Sequence, residues 1–512
     1  MNGHDDASRP PAVQSLNWDA DRARAFGDRI VELWGEYLTR LPELPVAKHD
    51  DSGTVRRGIV LPIPDEPLGE DAIIEHLRSL AFEYATYPGH PRFMAYITGA
   101  GTVPGAAADL LAAGLNMNLG AWRLSPGPTE IERALIRFFA AAFGLPDDAG
   151  GVLVSGGAMA NFTALKAARD HRLGLAVRDE GIASHGPVGV YAGSEVHVTT
   201  DRALDMLGLG TRALRRIGVD DERRMRVDAL VEAIRRDREQ GVKPAIVVAT
   251  AGTVATGAID PIAEIADVCE REGLWLHVDG AYGGPAVLAE DLRPLLAGIE
   301  RADSIAFDPH KWMYTPHSGG CVLVRNERCL EESFTAHASY IREDTERVEH
   351  EVDLGHLSPQ FSRGFQALKI WVSFLAHGRR AYGERISHDA ALARYLGGRV
   401  EANPSFELAA PVTLSICCFR YVPQDLTAGD GDPAARERYL NALNERIMTE
   451  LQLDGRVYIS NAVLGETFVL RACVVNFRTE AGDMDAVLDV AAELGTRLDA
   501  ELRPDVLASS LD

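Results

Sequence analysis

The sequence lacks the features that would assign it to a membrane or a disulfide-rich class. No apolar run reaches the roughly 18 residues that a membrane-spanning helix needs, and the first residues, MNGHDDASRPP, are polar where a signal peptide is apolar. Only 6 of the 512 residues are cysteine, and none forms a Cys-x-x-Cys pair or a zinc-type grouping with histidine. We therefore expect a soluble, cytoplasmic protein without a bound metal or a membrane partner.

The sequence is also poor in positive charge. It has 52 Lys and Arg against 75 Asp and Glu, which gives a formal net charge of −23. A basic face that could neutralise phosphates is not expected, so nucleic acid is excluded as a partner. The 46% of hydrophobic and 25% of charged residues are ordinary for a globular protein that buries a large core.

Short apolar runs alternate with helical patterns through the middle of the chain. The strand-like runs are GVLV (151–154), VGVY (188–191), AIVVA (245–249), LWLHV (274–278), SIAF (304–307) and CVLV (321–324). Runs that are apolar on both faces, separated by helices, are typical of a mostly parallel sheet covered by helices. Between two of these runs, Asp260 is predicted as a helix N-cap, with Pro261 as the first helical residue and Gly273 as the end.

The flanking regions differ from this α/β pattern. Residues 1–14 are interpreted as a disordered tail, 19–41 as a helix, and the proline-rich stretch 42–67 as its break. A long helical stretch at about 362–396 precedes strand-like runs within 411–477. We predict an N-terminal helical and extended segment (1–100), a large domain (101–395) and a small α+β domain (396–512).

Polar or glycine-rich segments follow four of the strands. They are Ser155–Asn161, Thr250–Thr253, Asp279–Tyr282 and Asp308–Trp312. Because ligands bind beyond the carboxyl ends of the strands in such sheets, we expect these segments to meet at one site.

Three of these segments together suit pyridoxal phosphate. The two glycines before a helix offer backbone N–H groups to an anion, Lys311 offers an amine, and Asp279 offers a carboxylate for the ring nitrogen. Individually, each residue also fits a tight turn or a salt bridge. A nucleotide site is disfavoured, because no P-loop is present and the stretch Gly99–Gly105 lacks the third glycine and the acidic residue of a dinucleotide fingerprint.

Seven strings resemble the group II pyridoxal-phosphate-dependent amino acid decarboxylases, which include the aromatic amino acid, tyrosine, histidine and glutamate decarboxylases. They occur in family order: HPRFMAYI, LSPGPTEIE, VSGGAMANFTAL, ATAGTVATGAIDPI, HVDGAYGG, DPHKWMYTPHSGGCVLVR and FRYVP. The resemblance implies the type I, aspartate-aminotransferase-like fold and a homodimer whose active site is shared between subunits.

The resemblance also implies roles for individual residues. Lys311 corresponds to the lysine that binds the cofactor covalently, and Asp279 to the partner of its ring nitrogen. His197 and Ala281 correspond to residues on the two ring faces. The phosphate side would be formed by Gly157, Ala158 and His310, with Thr250 and Asp308 nearby. Tyr340 corresponds to a loop tyrosine that protonates the α-carbon after CO₂ leaves; it also fits an ordinary surface tyrosine.

Some positions depart from relatives and leave the substrate open. Ala158 stands where many relatives have serine, Asp308 where some have asparagine, and Gly120 where some aromatic-specific members have a bulky pocket residue. The substrate-binding candidates are Thr98, Gly99 and Gly120. We expect decarboxylation of an aromatic or other non-acidic L-amino acid to the amine. The alternatives are an aldehyde synthase, another carbon–carbon lyase on the same cofactor, and a cofactor-free regulatory relative.

Overall fold

A computed structural model describes residues 15–336, 351–426 and 432–504. The described residues form two compact units, one up to Tyr87 and one from Pro88 onward. The first unit contains three helices: Ala20–Arg40 (α1), Ser52–Ile59 (α2) and Glu70–Phe82 (α3). Helix α1 agrees with the sequence prediction, whereas the proline-rich stretch is not wholly irregular, because α2 forms within it after Asp51 caps its first N–H groups. The predicted tail at residues 1–14 lies outside the described residues.

The second unit carries the remaining described helices and all of the described strands. Its helices are Val103–Leu115 (α4), Pro126–Phe143 (α5), Gly157–Leu173 (α6), Val177–Glu180 (α7), Thr199–Met206 (α8), Val227–Glu239 (α9), Ile262–Glu272 (α10), Arg328–Phe334 (α11), Ala367–Glu401 (α12), Pro433–Asp454 (α13) and Ala481–Leu502 (α14). Its strands are Phe93–Met94 (β1), Gly150–Val154 (β2), Val188–Gly193 (β3), Leu214–Ile217 (β4), Lys243–Thr250 (β5), Trp275–Asp279 (β6), Ser304–Phe307 (β7), Gly320–Val324 (β8), Phe406–Leu408 (β9), Ile416–Tyr421 (β10), Tyr458–Leu464 (β11) and Thr467–Cys473 (β12).

A seven-stranded sheet forms the centre of the second unit. Its order is β2-β8-β7-β6-β5-β3-β4, and every neighbouring pair is parallel except the two that β8 makes with β2 and β7. All residues of β6, β7 and β8 are buried, since helices cover the sheet, which explains why these strands are continuous apolar runs. The predicted mostly parallel α/β fold is confirmed, and the carboxyl ends of β2, β5, β6 and β7 lie along one edge.

A smaller sheet is formed by β1 and by the four strands that follow the large sheet in the chain. Its order is β1-β11-β12-β10-β9, with only β1 and β11 parallel. Helices α13 and α14 pack on it around a separate buried cluster that includes Phe419, Leu440 and Leu494. The division at residues 100 and 395 stays a prediction.

Two local expectations need correction. Helix α10 begins at Ile262 with Pro261 in the capping position, and Asp260 does not cap it. The Asp260 carboxylate instead accepts hydrogen bonds from the backbone N–H groups of Thr250 and Met225, because it is buried beside the end of β5. The predicted long helix is α12, which runs further to Glu401 and is interrupted at Gly378, where φ is 77°. Among the described helices, none has the length and apolar character to cross a membrane.

Candidate active site

A cavity of about 510 Å³ lies at the carboxyl edge of the large sheet. Its size falls within the roughly 300–1,000 Å³ of small-molecule sites. The sequence-predicted residues that line it are Thr98, Gly157, Ala158, His197, Thr250, Asp279, Ala281, Asp308, His310 and Lys311. The convergence expected from the strand ends is therefore present in the structure.

The N-terminus of α6 opens into this cavity. Gly157 is its first residue and Ala158 its second, and both line the cavity. The first N–H groups of a helix have no acceptor within the helix, and the helix dipole adds positive potential there. A side chain at Gly157 would force a shift, because a Cβ atom would lie 2.5 Å from Oδ2 of Asp308. The turn thus offers backbone donors to an anion at close range.

The loop after β7 carries the amine of the site. The Nζ atom of Lys311 lies 3.0 Å from Oδ2 of Asp308, and the lysine side chain is 22% exposed. Asp308 is buried, and its other oxygen, Oδ1, has no hydrogen-bond partner among the described residues. Burial raises the pKa of Asp308, and Asp279 raises it further, while Lys311 opposes both.

The carboxylate of Asp279 ends β6 and is held from two sides. Oδ2 accepts a hydrogen bond of 2.9 Å from the side-chain amide of Asn161, and Oδ1 accepts one of 3.1 Å from the backbone N–H of Ala281. Asp279 is 4% exposed and lines the cavity. The two hydrogen bonds fix its orientation toward the cavity.

Two histidines face the cavity in neutral form. Burial lowers the pKa of His197, against an opposing effect of Asp279, and Nδ1 of His197 lies 2.8 Å from Oγ1 of Thr199. Burial also lowers the pKa of His310 to about 4, so its 3.9 Å approach to Asp308 is not an ion pair at neutral pH. The His310 ring packs against that of His317, with 4.5 Å between centroids. The rings of His197 and His310 therefore present flat, uncharged surfaces to the cavity.

The end of β5 brings Thr250 to the cavity. Its N–H donates to Asp260 over 2.8 Å, and its carbonyl accepts from the N–H of Asp260. Burial raises the pKa of Asp260 to about 6, although two backbone N–H groups oppose this effect. The corrected role of Asp260 is thus to fix the strand end that carries Thr250.

The sequence patterns did not predict some of the residues that line the cavity. Asn161 was noted only as part of the α6 turn, and Tyr96 only within a family string, yet both line the cavity. Tyr96 adopts a left-handed backbone conformation, with φ of 56°. Ser460 on β11 and Arg471 on β12 reach the cavity from the smaller sheet, and Arg471 donates to the carbonyl of Tyr96. No local motif predicts Ser460 or Arg471 as cavity residues. Only the strand pattern of the C-terminal region could have indicated them.

Other predicted residues lie elsewhere. Gly99 does not line the cavity; a Cβ atom there would lie 2.0 Å from the carbonyl oxygen of Val475 and 3.5 Å from that of Lys311. Gly120 is also absent from its lining, and its Cβ would meet the carbonyl of Phe361 at 2.5 Å. Tyr340 lies outside the described residues. The substrate roles of Gly99 and Gly120 and the catalytic role of Tyr340 stay predictions.

The residues that line the cavity fit pyridoxal phosphate. The group needs an amine, a carboxylate and an anion-binding turn, and Lys311, Asp279 and the α6 N-terminus supply these in one cavity of sufficient volume. Beside Gly157, the buried Oδ1 of Asp308 also lacks a hydrogen-bond partner among the residues that the structure describes.

Comparisons with known proteins agree with this fit. The family described as "Pyridoxal-dependent decarboxylase conserved domain" matches residues 53–422. An aromatic-L-amino-acid decarboxylase of Bacillus atrophaeus is 35% identical over 92% of this chain and 95% of its own length. A phenylacetaldehyde synthase of a Rosa hybrid cultivar is 27% identical over 90% and 91%, respectively. The crystal structure of Oryza sativa TDC with PLP and tryptamine superposes with a TM-score of 0.87 at 28% identity, and covers 95% of this chain and 100% of that one.

Proposed function

Because this chain belongs to the pyridoxal-dependent decarboxylase family, we propose that it decarboxylates an aromatic or other non-acidic L-amino acid. Pyridoxal-phosphate-dependent decarboxylation of an amino acid follows from the family; the substrate class is our proposal. The observation that carries the cofactor-dependent reaction is the meeting of Lys311, Asp279 and the α6 N-terminus in one cavity. The proposal of an aromatic substrate is supported by the Bacillus relative and by the side chains of Tyr96, Ile97 and Val254 on the cavity wall.

We assign the cofactor-holding residues as the sequence analysis predicted them. Lys311 would bind the aldehyde carbon, Asp279 the ring nitrogen and the N–H groups of Gly157 and Ala158 the phosphate. His197 and Ala281 would pack on the ring faces. His310, Thr250 and Asp308 would complete the phosphate side. When bound, the cofactor supplies an electron-accepting ring that stabilises the charge left on the substrate's α-carbon when CO₂ departs.

The protein's own contribution is orientation and charge. Asp279 is a negative charge held by two hydrogen bonds in a buried position, so it requires no reorganisation during the reaction. The flat, neutral ring of His197 would orient the bound groups so that the bond to the carboxylate is the one that breaks. Lys311 would release the product, and Tyr340 would deliver a proton to the α-carbon.

The second candidate is an aldehyde synthase. It is favoured by the Rosa relative, which matches most of the chain. The tyrosine at position 340 favours simple decarboxylation instead, since aldehyde-forming members of the resembled family often replace it. Other carbon–carbon lyase chemistry on the cofactor remains a third outcome of the same experiment.

We also propose a cytoplasmic homodimer with a shared active site. Helix α4 supports the homodimer, because it exposes large apolar side chains. Their exposed fractions are between 43% and 62% for Val103, Leu110, Leu111 and Leu115. Leucines so exposed on one helix are typical of an interaction surface. A second copy of the chain would cover them and bring further residues to the substrate side.

The test is a product assay on purified protein loaded with cofactor. A pool of amino acids is supplied, and CO₂, amine, aldehyde and ammonia are followed together. We expect equal amounts of CO₂ and amine from an aromatic substrate, and none from the Lys311→Ala variant. Aldehyde and ammonia in place of amine would favour the second candidate, and CO₂ release by Lys311→Ala would contradict the assignment of the lysine.

A further inference from the structure

Five buried side chains form a continuous line of hydrogen bonds that ends at the cavity. Trp275 Nε1 donates to Ser304 Oγ over 2.8 Å, and Ser304 Oγ lies 2.9 Å from His277 Nδ1. His277 Nε2 lies 2.8 Å from Asn161 Oδ1, and Asn161 Nδ2 donates to Asp279 Oδ2 over 2.9 Å. No residue of the set is more than 7% exposed. We call these five side chains the hydrogen-bond relay.

The two ends of the relay and a neutral His277 together fix the direction of every bond in it. The indole N–H of Trp275 can only donate, and an ionised carboxylate at Asp279 can only accept. The amide nitrogen of Asn161 must therefore face Asp279, which leaves its oxygen to accept from Nε2–H of His277. A neutral imidazole has one N–H, so Nδ1 of His277 accepts from the Ser304 hydroxyl, and that oxygen accepts from Trp275. Each bond then has one donor and one acceptor.

A charged His277 does not fit this arrangement. Burial lowers the pKa of His277 to about 4, against smaller opposing effects of Asp279 and of the Ser304 backbone. An imidazolium would donate from both nitrogens. The Ser304 oxygen can accept from both His277 and Trp275, but the Ser304 hydroxyl proton would then lose its acceptor in the relay. The neutral Nε2–H form is the one that satisfies all the groups.

We propose that the four side chains behind Asp279 are positioning residues, which stabilise its negative charge at the place where the cofactor's ring nitrogen binds. This inference rests on the proposed function, because it concerns the same site. Each of the four donates to the next group along the relay, and the last bond, from Asn161, reaches the Asp279 carboxylate. A hydrogen bond to an ionised acceptor is stronger than one between neutral groups. In a buried chain each bond polarises the next, so the far donors also contribute. An ionised Asp279 keeps the ring nitrogen protonated, which the electron-accepting ring requires.

The direction of the relay is tested by the tautomer of His277. The ¹⁵N shifts of labelled histidine are measured by NMR, with and without cofactor, and the His277 signal is identified by its loss in His277→Gln. We expect the neutral Nε2–H form in both states. A neutral Nδ1–H form, or an imidazolium at neutral pH, overturns the proposal.

The effect of the relay on the site is tested with variants far from the cavity. Trp275→Phe removes one hydrogen bond of the relay and Ser304→Ala removes two, and neither substitution touches Asp279. The holoenzyme is prepared with cofactor labelled at the ring nitrogen. We expect its ¹⁵N shift to move toward the unprotonated value, with a kcat lower by about threefold to tenfold, the equivalent of one buried hydrogen bond, and KM within about twofold of the parent.

A matched control and a second variant keep this test decisive. Ser333 is buried, outside the relay, and its hydroxyl has no partner among the described residues, so Ser333→Ala should leave the ring-nitrogen shift unchanged. If Ser304→Ala does not fold, Trp275→Phe carries the test. An unchanged ring-nitrogen shift in the folded relay variants overturns the proposal.

Failure of this inference and failure of the proposed function are distinguishable. The tautomer and the ring-nitrogen shift are measured without turnover, so they report on the relay even if no amino acid is decarboxylated. Unchanged shifts in an active decarboxylase would refute the relay alone. Expected shifts in a protein that decarboxylates nothing would refute the proposed function alone.

Discussion

The amine of Lys311 lies 3.0 Å from a carboxylate oxygen of Asp308, three residues earlier in the same loop. The amine must leave this ion pair before it binds the cofactor. We expect Asp308→Asn to attach cofactor faster, by about fivefold, if the pair is worth about 1 kcal/mol at this partly exposed amine. The rate is followed by visible absorbance after cofactor is mixed with the cofactor-free chain. Asp267→Asn, at an exposed position, serves as control, and an unchanged or slower rate in Asp308→Asn contradicts the prediction.

The close approach of Gly157 to Asp308 predicts sensitivity to a single methyl group. In Gly157→Ala the new Cβ would lie 2.5 Å from Oδ2 of Asp308, so the carboxylate or the helix start must move. We expect the Kd for cofactor to rise by about tenfold or more, from the usual cost of overpacking. Equilibrium titration measures it. Gly482→Ala has open space around it and should bind as the parent does; equal affinity in Gly157→Ala would show that the turn relaxes freely.

A buried ion pair supports the strand that leads into the α6 turn. Arg363 contacts Glu132, and donates to the carbonyl of Leu153 over 2.8 Å, while the N–H of Leu153 donates to Glu132 over 2.9 Å. We expect Arg363→Met to lower the free energy of unfolding by about 3–5 kcal/mol, because it leaves a buried carboxylate unpaired. Chemical denaturation gives this value. Adding Glu132→Gln should recover part of the loss; a double variant that loses the sum of both single effects would mean that the two residues act independently.

The buried histidines predict a loss of stability in acid. The pKa of His277 and that of His310 are both lowered to about 4 from an ordinary value of 6.5. Between these values the unfolded chain binds protons that the folded chain does not, so the free energy of unfolding falls as pH falls from about 6.5 to 4. The loss reaches about 1.4 kcal/mol per pH unit for each histidine. Denaturation curves at several pH values should show a shallower pH slope for His277→Gln. An equally steep slope in His277→Gln would contradict the assignment.

The predicted proton donor is tested by the product it controls. We expect Tyr340→Phe to shift the product from amine toward aldehyde, because the α-carbon is no longer protonated promptly and can be oxidised by dissolved oxygen, with loss of the nitrogen as ammonia. Amine and aldehyde are quantified together on the same substrate, with oxygen consumption as a second readout. Amine formation at the parent rate would remove Tyr340 from the mechanism.

Much of the site was predictable because its chemistry follows buried strands directly. The apolar runs that become β5, β6 and β7 are recognisable in sequence, since strands covered on both faces have no polar alternation. Lys311, Asp279 and Gly157 each stand within a few residues of such a strand end. Parallel strands bring those ends to one edge, so local patterns were sufficient to group these residues.

Asp260 shows where local patterns mislead. Its position before Pro261 fits a helix N-cap, but the carboxylate binds Met225, 35 residues earlier in the chain, and Thr250. Its burial beside β5 decided between the two roles, and burial is not encoded in an Asp-Pro pair.

The amino-acid sequence by itself determined which strands are followed by reactive residues, which cofactor they suit and which family the chain belongs to. Tertiary structure alone decided which side chains support that chemistry from behind or from the smaller sheet. Asn161 meets Asp279 across 118 residues and His277 across 116, and Arg471 meets Tyr96 across 375. Hydrogen bonds over such separations form only when folding brings the segments together, so they leave no periodicity or spacing in the chain.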